Sequence, residues 1–147
     1  MKLSEHFSLE EMIKTKTGMS NIPDDKAVAN LKNICQNWLE DLRYSYGALY
    51  GEGKDTPIII TSGYRSPKVN EAAGGVATSN HLTGCAVDLR CAGVEQALRY
   101  MNILLDIADG TNRVFDELLL ERKGFVYWIH FAVRSENNRR KIGFILK

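Results

Sequence analysis

Two histidines and one aspartate have the residue types and the spacing of a metal site. His81 comes just before a stretch with β-strand alternation, Asp88 projects from that stretch, and His130 lies in a later apolar strand. Gly84 permits a turn between His81 and Asp88, so the backbone can bring both side chains to one point. Zn²⁺ accepts imidazole nitrogen and carboxylate oxygen. Three such ligands would leave the fourth position of a tetrahedral ion open for water, as in a catalytic zinc site.

An arginine is the next candidate for chemistry. Arg65 leaves the end of a buried strand through a glycine turn, in the segment Thr61-Ser62-Gly63-Tyr64-Arg65-Ser66-Pro67. Its guanidinium presents a fixed fork of donors that suits a carboxylate or the oxyanion of a tetrahedral intermediate. We expect Arg65 to be held in position and to contact a substrate.

Spacing alone does not separate these roles from structural ones. A single histidine in a strand is often a hydrogen-bonded core residue, an aspartate near a turn is often a cap, and Arg65 could pair with a surface carboxylate. Cys85 adjoins the first group, but strand alternation predicts that its thiol faces away from Asp88, which argues against a thiol nucleophile.

The composition is that of an ordinary globular protein with one domain, residues 1–147. The chain has 44% hydrophobic and 25% charged residues and a formal net charge of +1, so no global field favours nucleic acid or an anionic membrane. Its three cysteines form no CxxC pair. The first residues lack the apolar run of a secretory signal, so we expect synthesis in the cytoplasm, with no membrane partner.

The elements that would position these residues follow from hydrophobic periodicity and turn signals. Helices are expected at Ser8 to Lys14, Pro23 to Leu42, Ser66 to Gly74 and Val94 to Gly110. Strands are expected at Pro57 to Thr61, Cys85 to Leu89, Phe115 to Leu120, Val126 to Val133 and Ile142 to Leu146, the last at an edge. Early helices and late antiparallel strands predict an α+β fold with helices packed on a small antiparallel sheet.

Four sequence strings resemble the M15 family of zinc peptidases, which includes D-alanyl-D-alanine carboxypeptidases, dipeptidases and phage endolysins. In chain order they are Ser62-Gly63-Tyr64-Arg65-Ser66-Pro67, Gly74-Gly75-Val76, Ser79 through Leu89, and Trp128-Ile129-His130. The opening segment, Leu3 to Glu11, resembles the small single-domain branch found in phages and mobile elements. The resemblance implies a fold like that of hedgehog and D,D-peptidase domains.

The resemblance also implies roles for individual residues. The implied zinc ligands are His81, Asp88 and His130. Arg65 would hold the substrate or the oxyanion, with Tyr64 and Ser79 as further substrate-binding residues. The expected protein is a monomer that carries Zn²⁺ and binds the peptide of bacterial peptidoglycan.

The general base does not transfer from the family. Better-known members place an acid three residues before the second zinc histidine, where this chain has Tyr127. Glu117 and Glu121 are the nearby acids, and a hairpin centred on Lys123-Gly124 would put Glu117 opposite His130 and both acids on the face of that ligand. We predict Glu121, which ends its strand beside a bendable turn. A solvated Glu121 paired with a neighbouring cation is the structural alternative.

The expected function is zinc-dependent hydrolysis of peptidoglycan stem peptides. The enzyme would be a D-Ala-D-Ala carboxypeptidase or an endopeptidase for an L-Ala-D-Glu bond or a cross-link, and it would reach the wall after release or lysis. The alternative is a non-catalytic zinc-bearing domain that recognises the cell wall. Tyr127 at the position of the usual base favours that alternative, since fold alone does not fix activity.

Overall fold

A five-stranded mixed sheet carries four of the candidate site residues, Asp88, Glu117, Glu121 and His130. The computed structural model describes residues 1–147. The strands are β1 (Ile60–Ser62), β2 (Ala86–Arg90), β3 (Glu117–Lys123), β4 (Val126–Ala132) and β5 (Lys141–Leu146). Their order in the sheet is β1-β2-β4-β3-β5. The sheet and its helices confirm the α+β class.

The pairing of the last strand differs from the prediction. β1, β2, β4 and β3 are antiparallel neighbours, but β5 pairs in parallel with β3. Asp116 explains the direction, because its carboxylate accepts from the backbone N–H of Arg139 and its carbonyl accepts from the N–H of Lys141. These bonds hold the first residue of β5 beside the first residue of β3. The wholly antiparallel sheet was therefore wrong at this edge.

Five helices are present, namely α1 (Leu9–Met12), α2 (Asp25–Ile34), α3 (Glu40–Tyr50), α4 (Pro67–Ala72) and α5 (Val94–Thr111). A π-helical segment, Cys35–Leu39, joins α2 to α3 without a break, so the long predicted helix extends further than its apolar pattern indicated. The first predicted helix is present as α1, and Ser8 and Glu11 form a capping box at its start. No helix has both the length and the apolar character needed to cross a membrane.

The hydrophobic core lies between the helices and one face of the sheet. Trp38 is almost fully buried and makes edge contacts with Phe131, at 5.0 Å between ring centroids, and with Phe115, at 6.2 Å. Loss of so large a buried side chain typically costs about 3–5 kcal/mol. Because strand residues alternate between faces, the side chains between these core residues point to the opposite face of the sheet. That face carries Asp88 and His130.

In the β3–β4 hairpin the acids lie on the predicted face of the sheet, but the strands do not pair in the predicted register. Lys123 pairs with Val126, so Gly124 and Phe125 form the turn, and Leu119 rather than Glu117 lies opposite His130. Gly124 adopts a left-handed φ of 62°, which favours glycine at the first turn position. The predicted register was wrong by two residues. An even shift leaves every side chain on its face, so Glu117 and Glu121 still share the face of His130.

Candidate metal centre

Three side chains meet on the face of the sheet opposite the hydrophobic core. Asp88 on β2 lies directly opposite His130 on β4, and His81 lies in a 3₁₀ turn, Asn80–Thr83, just before β2. One ligand atom from each of the three residues lies within 4.8 Å of the others. All three residues are buried or nearly so. The structure thus brings together the predicted metal-binding residues.

The hydrogen bond of His81 fixes which nitrogen faces its neighbours. Nδ1 lies 2.6 Å from the carbonyl oxygen of Gly63, which can only accept, so Nδ1 carries the proton. Nε2, on the other side of the ring, lies 3.3 Å from Asp88 Oδ1. Gly84 ends the turn of His81 with a left-handed φ of 71°. A metal ion would therefore bind His81 through Nε2.

His130 is oriented in the same way by a carboxylate. Its Nε2 lies 3.0 Å from Glu117 Oε1 and donates to it, while Nδ1 lies 3.1 Å from Asp88 Oδ1. Burial lowers the pKa of His130, but the bonds to Asp88 and Glu117 outweigh burial and raise it to about 10. A carboxylate behind a ligating imidazole is a common arrangement in metal sites, because it fixes the ring and its tautomer.

Asp88 is the shared partner of the group. Burial alone would raise the pKa of its carboxyl, but the imidazoles of His81 and His130 outweigh burial and hold that pKa well below the usual range. Oδ1 faces both rings, and Oδ2 lies 3.3 Å from Nη2 of Arg65. Asp88 therefore stays ionised and presents one oxygen toward the two imidazoles.

The two acids on β3 have different environments. Glu117 is bonded to Nε2 of His130 on the side away from Asp88, and this bond lowers the pKa of Glu117. Glu121 Oε2 lies 3.9 Å from Nδ1, the nitrogen that faces Asp88, and burial raises the pKa of Glu121. Only Glu121 therefore lies on the side of His130 where the ligand atoms converge.

Arg65 is held as predicted, although by residues that the sequence did not reveal. Its Nε donates to Ser62 Oγ at 2.9 Å and its Nη1 to Asn70 Oδ1 at 3.4 Å, beside the contact with Asp88. Asn70 is 4% exposed and also donates to the carbonyl of Val76. Asn70 thus fixes both the guanidinium and the loop that follows α4.

Of the two remaining predicted site residues, one lines the cleft and the other does not. Ser79 lines the same cleft as Arg65, and its hydroxyl accepts from the backbone N–H of His81 at 3.2 Å, so it also caps the ligand's turn. Tyr64 does not line that cleft, and instead lines a separate depression beside Pro67. The structure therefore does not bring Tyr64 to the other candidates.

Sequence reasoning missed Asn80 and Asp116. Asn80 Nδ2 donates to Asp116 Oδ2 and to Glu117 Oε1, both at 2.8 Å, and its Oδ1 accepts from Arg134. The only signal in the sequence was the polar Asn80 beside the candidate ligand His81. Because its partners lie more than 30 residues away, no local pattern could have revealed them.

The centre lies in a cleft of about 760 Å³. Arg65, Ser79 and Glu121 line it together with the three candidate ligands, His81, Asp88 and His130. This volume lies within the range of ordinary ligand sites, about 300–1,000 Å³. A short stretch of polypeptide therefore has room beside the group.

A comparison with models of protein families shows the family to which this chain belongs. The family model described as Peptidase M15 matches residues 5–106, more than half of the chain. The chain belongs to the peptidase M15 family. The matched part of this M15 peptidase contains Arg65, His81 and Asp88, whereas His130 and Glu121 follow it. No curated protein matches the chain.

M15 peptidases are generally zinc-dependent, and the donor set of this member fits zinc. His81 Nε2, His130 Nδ1 and Asp88 Oδ1 are nitrogen and oxygen donors of the kinds that zinc binds. Each imidazole has a hydrogen-bond acceptor behind it, Gly63 or Glu117, as ligating histidines normally do. These residues could hold the ion once Nδ1 of His130 gives up the proton that it shares with Asp88, and the hydrogen bonds to Gly63 and Glu117 would stay in place.

Proposed function

We propose that this M15 peptidase is a zinc-dependent hydrolase of the peptide stems of bacterial peptidoglycan, acting on the wall after release or lysis. One observation carries the proposal. His81 Nε2, Asp88 Oδ1 and His130 Nδ1 converge in an open cleft, and a carboxylate that is not behind a ligand, Glu121, lies on the same side. Three ligands with an open position and an adjacent base are the parts of a hydrolytic centre.

Zinc held by His81, Asp88 and His130 would lower the pKa of its water toward ~7 and polarise the scissile carbonyl. Glu121 is placed to accept the proton of the attacking water and to return it to the leaving amine. Glu117 cannot do so, because its Oε1 accepts from Nε2 of His130 on the far side of the ring. The structural contribution of Glu117 is to hold that ring in place.

Arg65 is placed to bind the negative charge of the substrate. It lines the cleft beside Asp88, and Ser62 and Asn70 fix its guanidinium in one orientation. A positioned guanidinium can bind a carboxylate or the oxyanion with two parallel hydrogen bonds. Because one of its nitrogens already contacts Asp88, Arg65 also links substrate binding to a candidate ligand.

The rival proposal is a zinc-bearing domain that recognises the wall without cutting it. Its support was Tyr127, which replaces the acid of better-known members. Tyr127 packs against the hydrophobic core, whereas Glu121 lies on the face of the candidate ligands. An acid is thus available from the neighbouring strand, and this supports the enzyme over the recognition domain.

Mass spectrometry of purified peptidoglycan tests the proposal. We expect the zinc-loaded protein to release defined peptides, and a chelator to stop the release. The masses identify the bond as D-Ala-D-Ala, L-Ala-D-Glu or a cross-link. Binding to the wall without any new peptide would favour the recognition domain instead.

A further inference from the structure

The charge of the molecule is unevenly distributed around the cleft. Of the 19 Lys and Arg residues in the chain, seven line the cleft, whereas only three of the 18 Asp and Glu residues do so. Those three acids, Asp88, Glu117 and Glu121, are all within 4 Å of His130. The chain is nearly neutral as a whole, so the cleft beyond the metal centre is selectively basic.

Five of the seven basic residues of the cleft are of two kinds, and the other two, Arg122 near the end of β3 and Lys147 after β5, also form no ion pair. Arg134 and Arg139 are bound to Asp116, and Arg65 is bound to Asp88, so acids of the protein already pair with them. Lys123 and Lys141 are exposed and form no ion pair or side-chain hydrogen bond. These two ammonium groups have no anionic partner within the protein.

Strand register places these lysines on either side of a row of paired residues that crosses the sheet. His130 lies opposite Leu119, and Leu119 lies opposite Gly143 on β5, so the three residues form one row. Gly143 has no side chain, and a Cβ there would meet only Leu119 at 3.9 Å, so no side chain fills the row at β5. Lys141 lies two residues before Gly143, and Lys123 lies four residues after Leu119 on the same face.

The length of this row indicates where on a bound peptide a charged group would lie near the lysines. Neighbouring strands are ~4.8 Å apart, so the row runs roughly 10 Å from the strand of His130 to the edge strand β5. An extended peptide covers ~3.3 Å per residue. Gly143 therefore lies about three residues from the bond at the metal centre, with Lys141 roughly 7 Å from the row on one side and Lys123 roughly 13 Å from it on the other.

We propose that Lys123 and Lys141 bind carboxylates of an acidic peptide, so that this enzyme prefers stem peptides with free carboxylates over the same peptides with those groups amidated. The proposal rests on the proposed function, since it names the substrate of the same site. A peptide is favoured over an anionic wall polymer because the lysines flank a row that leads from the candidate ligands.

Two synthetic stem peptides, one with free carboxylates and one amidated at the same groups, test this preference with the zinc-loaded protein. An exposed ion pair contributes little singly, so we expect the free peptide to have a KM about fivefold lower, with equal kcat. Lys123→Ala combined with Lys141→Ala should bring the ratio of KM values close to one. High salt should reduce the ratio in the unaltered protein, because it screens exposed charges.

A matched control and a second readout make the result decisive. Lys32→Ala removes an exposed lysine of α2 outside the cleft and should keep the fivefold ratio. Calorimetric binding of both peptides to zinc-loaded Glu121→Gln should show the same preference without cleavage.

Equal KM values and equal binding of the two peptides would overturn the inference while leaving the hydrolase intact. If the unaltered protein cuts neither peptide, the proposed function fails, and the binding ratio alone then decides the inference. A double variant that loses affinity for whole wall but keeps the fivefold ratio would assign the lysines to an anionic polymer, which contradicts the proposal.

Discussion

Two neighbouring ionic clusters differ in how their charges are arranged. In one, the fully buried Asp116 accepts from Asn80 and Arg139 and pairs with Arg134, so donors surround the acid on every side. In the other, His81, Asp88 and His130 direct ligand atoms toward one another. The first cluster is complete within the protein, whereas the second presents three ligand atoms that could hold a metal ion. Convergence of donor atoms, and not the number of charges, marks a candidate functional site.

Asn80 connects the two clusters. One amide group donates to Asp116 of the structural cluster and to Glu117, which in turn accepts from His130. Asn80 therefore bonds both the acid of the structural cluster and the carboxylate that orients His130. Variants in each cluster should separate loss of metal and catalysis from loss of stability.

The largest effect is expected from the converging cluster itself. His81→Ala, Asp88→Ala or His130→Ala should each lower the zinc content from one per chain toward zero and abolish cleavage, because two donors hold zinc poorly. Atomic absorption of the purified variants measures the metal, and circular dichroism checks that each remains folded. Asp116→Asn is the matched control and should keep its zinc. Full zinc in all three ligand variants would refute the site.

The second effect separates the two acids of β3. Glu121→Gln should lower kcat by about 10²–10⁴-fold with zinc retained, because it removes the base and preserves the shape of the side chain. Glu117→Gln should act mainly on the metal, since an altered partner of a ligating histidine typically weakens metal affinity about 10–100-fold. Zinc titration and kcat at saturating zinc distinguish them. A normal kcat for Glu121→Gln would move the base elsewhere.

Arg65 should give a smaller loss that does not involve the metal. Arg65→Ala removes a charged donor from the developing anion, which typically costs about 10²-fold in rate, while zinc binding stays intact. Arg65→Lys should restore little, because the planar fork is lost. Steady-state kinetics with parallel zinc analysis tests both variants. Unchanged turnover in Arg65→Ala would exclude it from the reaction.

The smallest effect concerns the stability supplied by Asp116. Burial would raise the pKa of this carboxyl, but bonds from Arg139 and Asn80 outweigh burial and lower it to about 2 from 3.8. A carboxyl group whose pKa is lower in the folded than in the unfolded protein stabilises the fold at pH values above its unfolded pKa. This stabilisation is lost as the pH falls through the folded pKa. Asp116→Asn should therefore lower the free energy of unfolding by about 2 kcal/mol at neutral pH.

Urea unfolding of both proteins in chelator, at several pH values, measures this difference apart from the metal. The gap between them should close as the pH falls from about 4 to 2. A gap that stays constant over this interval would show that Asp116 stabilises the fold by packing and not by charge.

Local patterns predicted much of the fold because they act over a few residues. The capping box at Ser8, the helical stripe through Trp38 and the alternation around Asp88 all gave the right kind of element. The direction of β5 was not predictable, because it depends on bonds from Asp116 to residues more than 20 positions later. An edge strand can satisfy its hydrogen bonds in either direction.

Within the candidate site, local sequence patterns predicted the face of each side chain but not its orientation. Alternation placed Glu117 and Glu121 on the face of His130 even though the predicted register was off by two residues. Choosing between the acids required knowledge of which imidazole nitrogen each one faces, and rotamers are set by packing that no sequence pattern encodes. Asn70 was overlooked for the same reason, since its contact with Arg65 spans the turn of a short helix.

The two glycines beside His81 have a consequence for mutational tolerance. A Cβ at Gly63 would lie 2.4 Å from the carbonyl oxygen of Met12, and one at Gly84 would lie 2.4 Å from that of Ala27. Neither neighbour can yield without moving a helix backbone. A library selected for activity should therefore reject alanine at both positions as strictly as it rejects changes to the ligands. The positions that evolve least would then include two that hold no metal and touch no substrate.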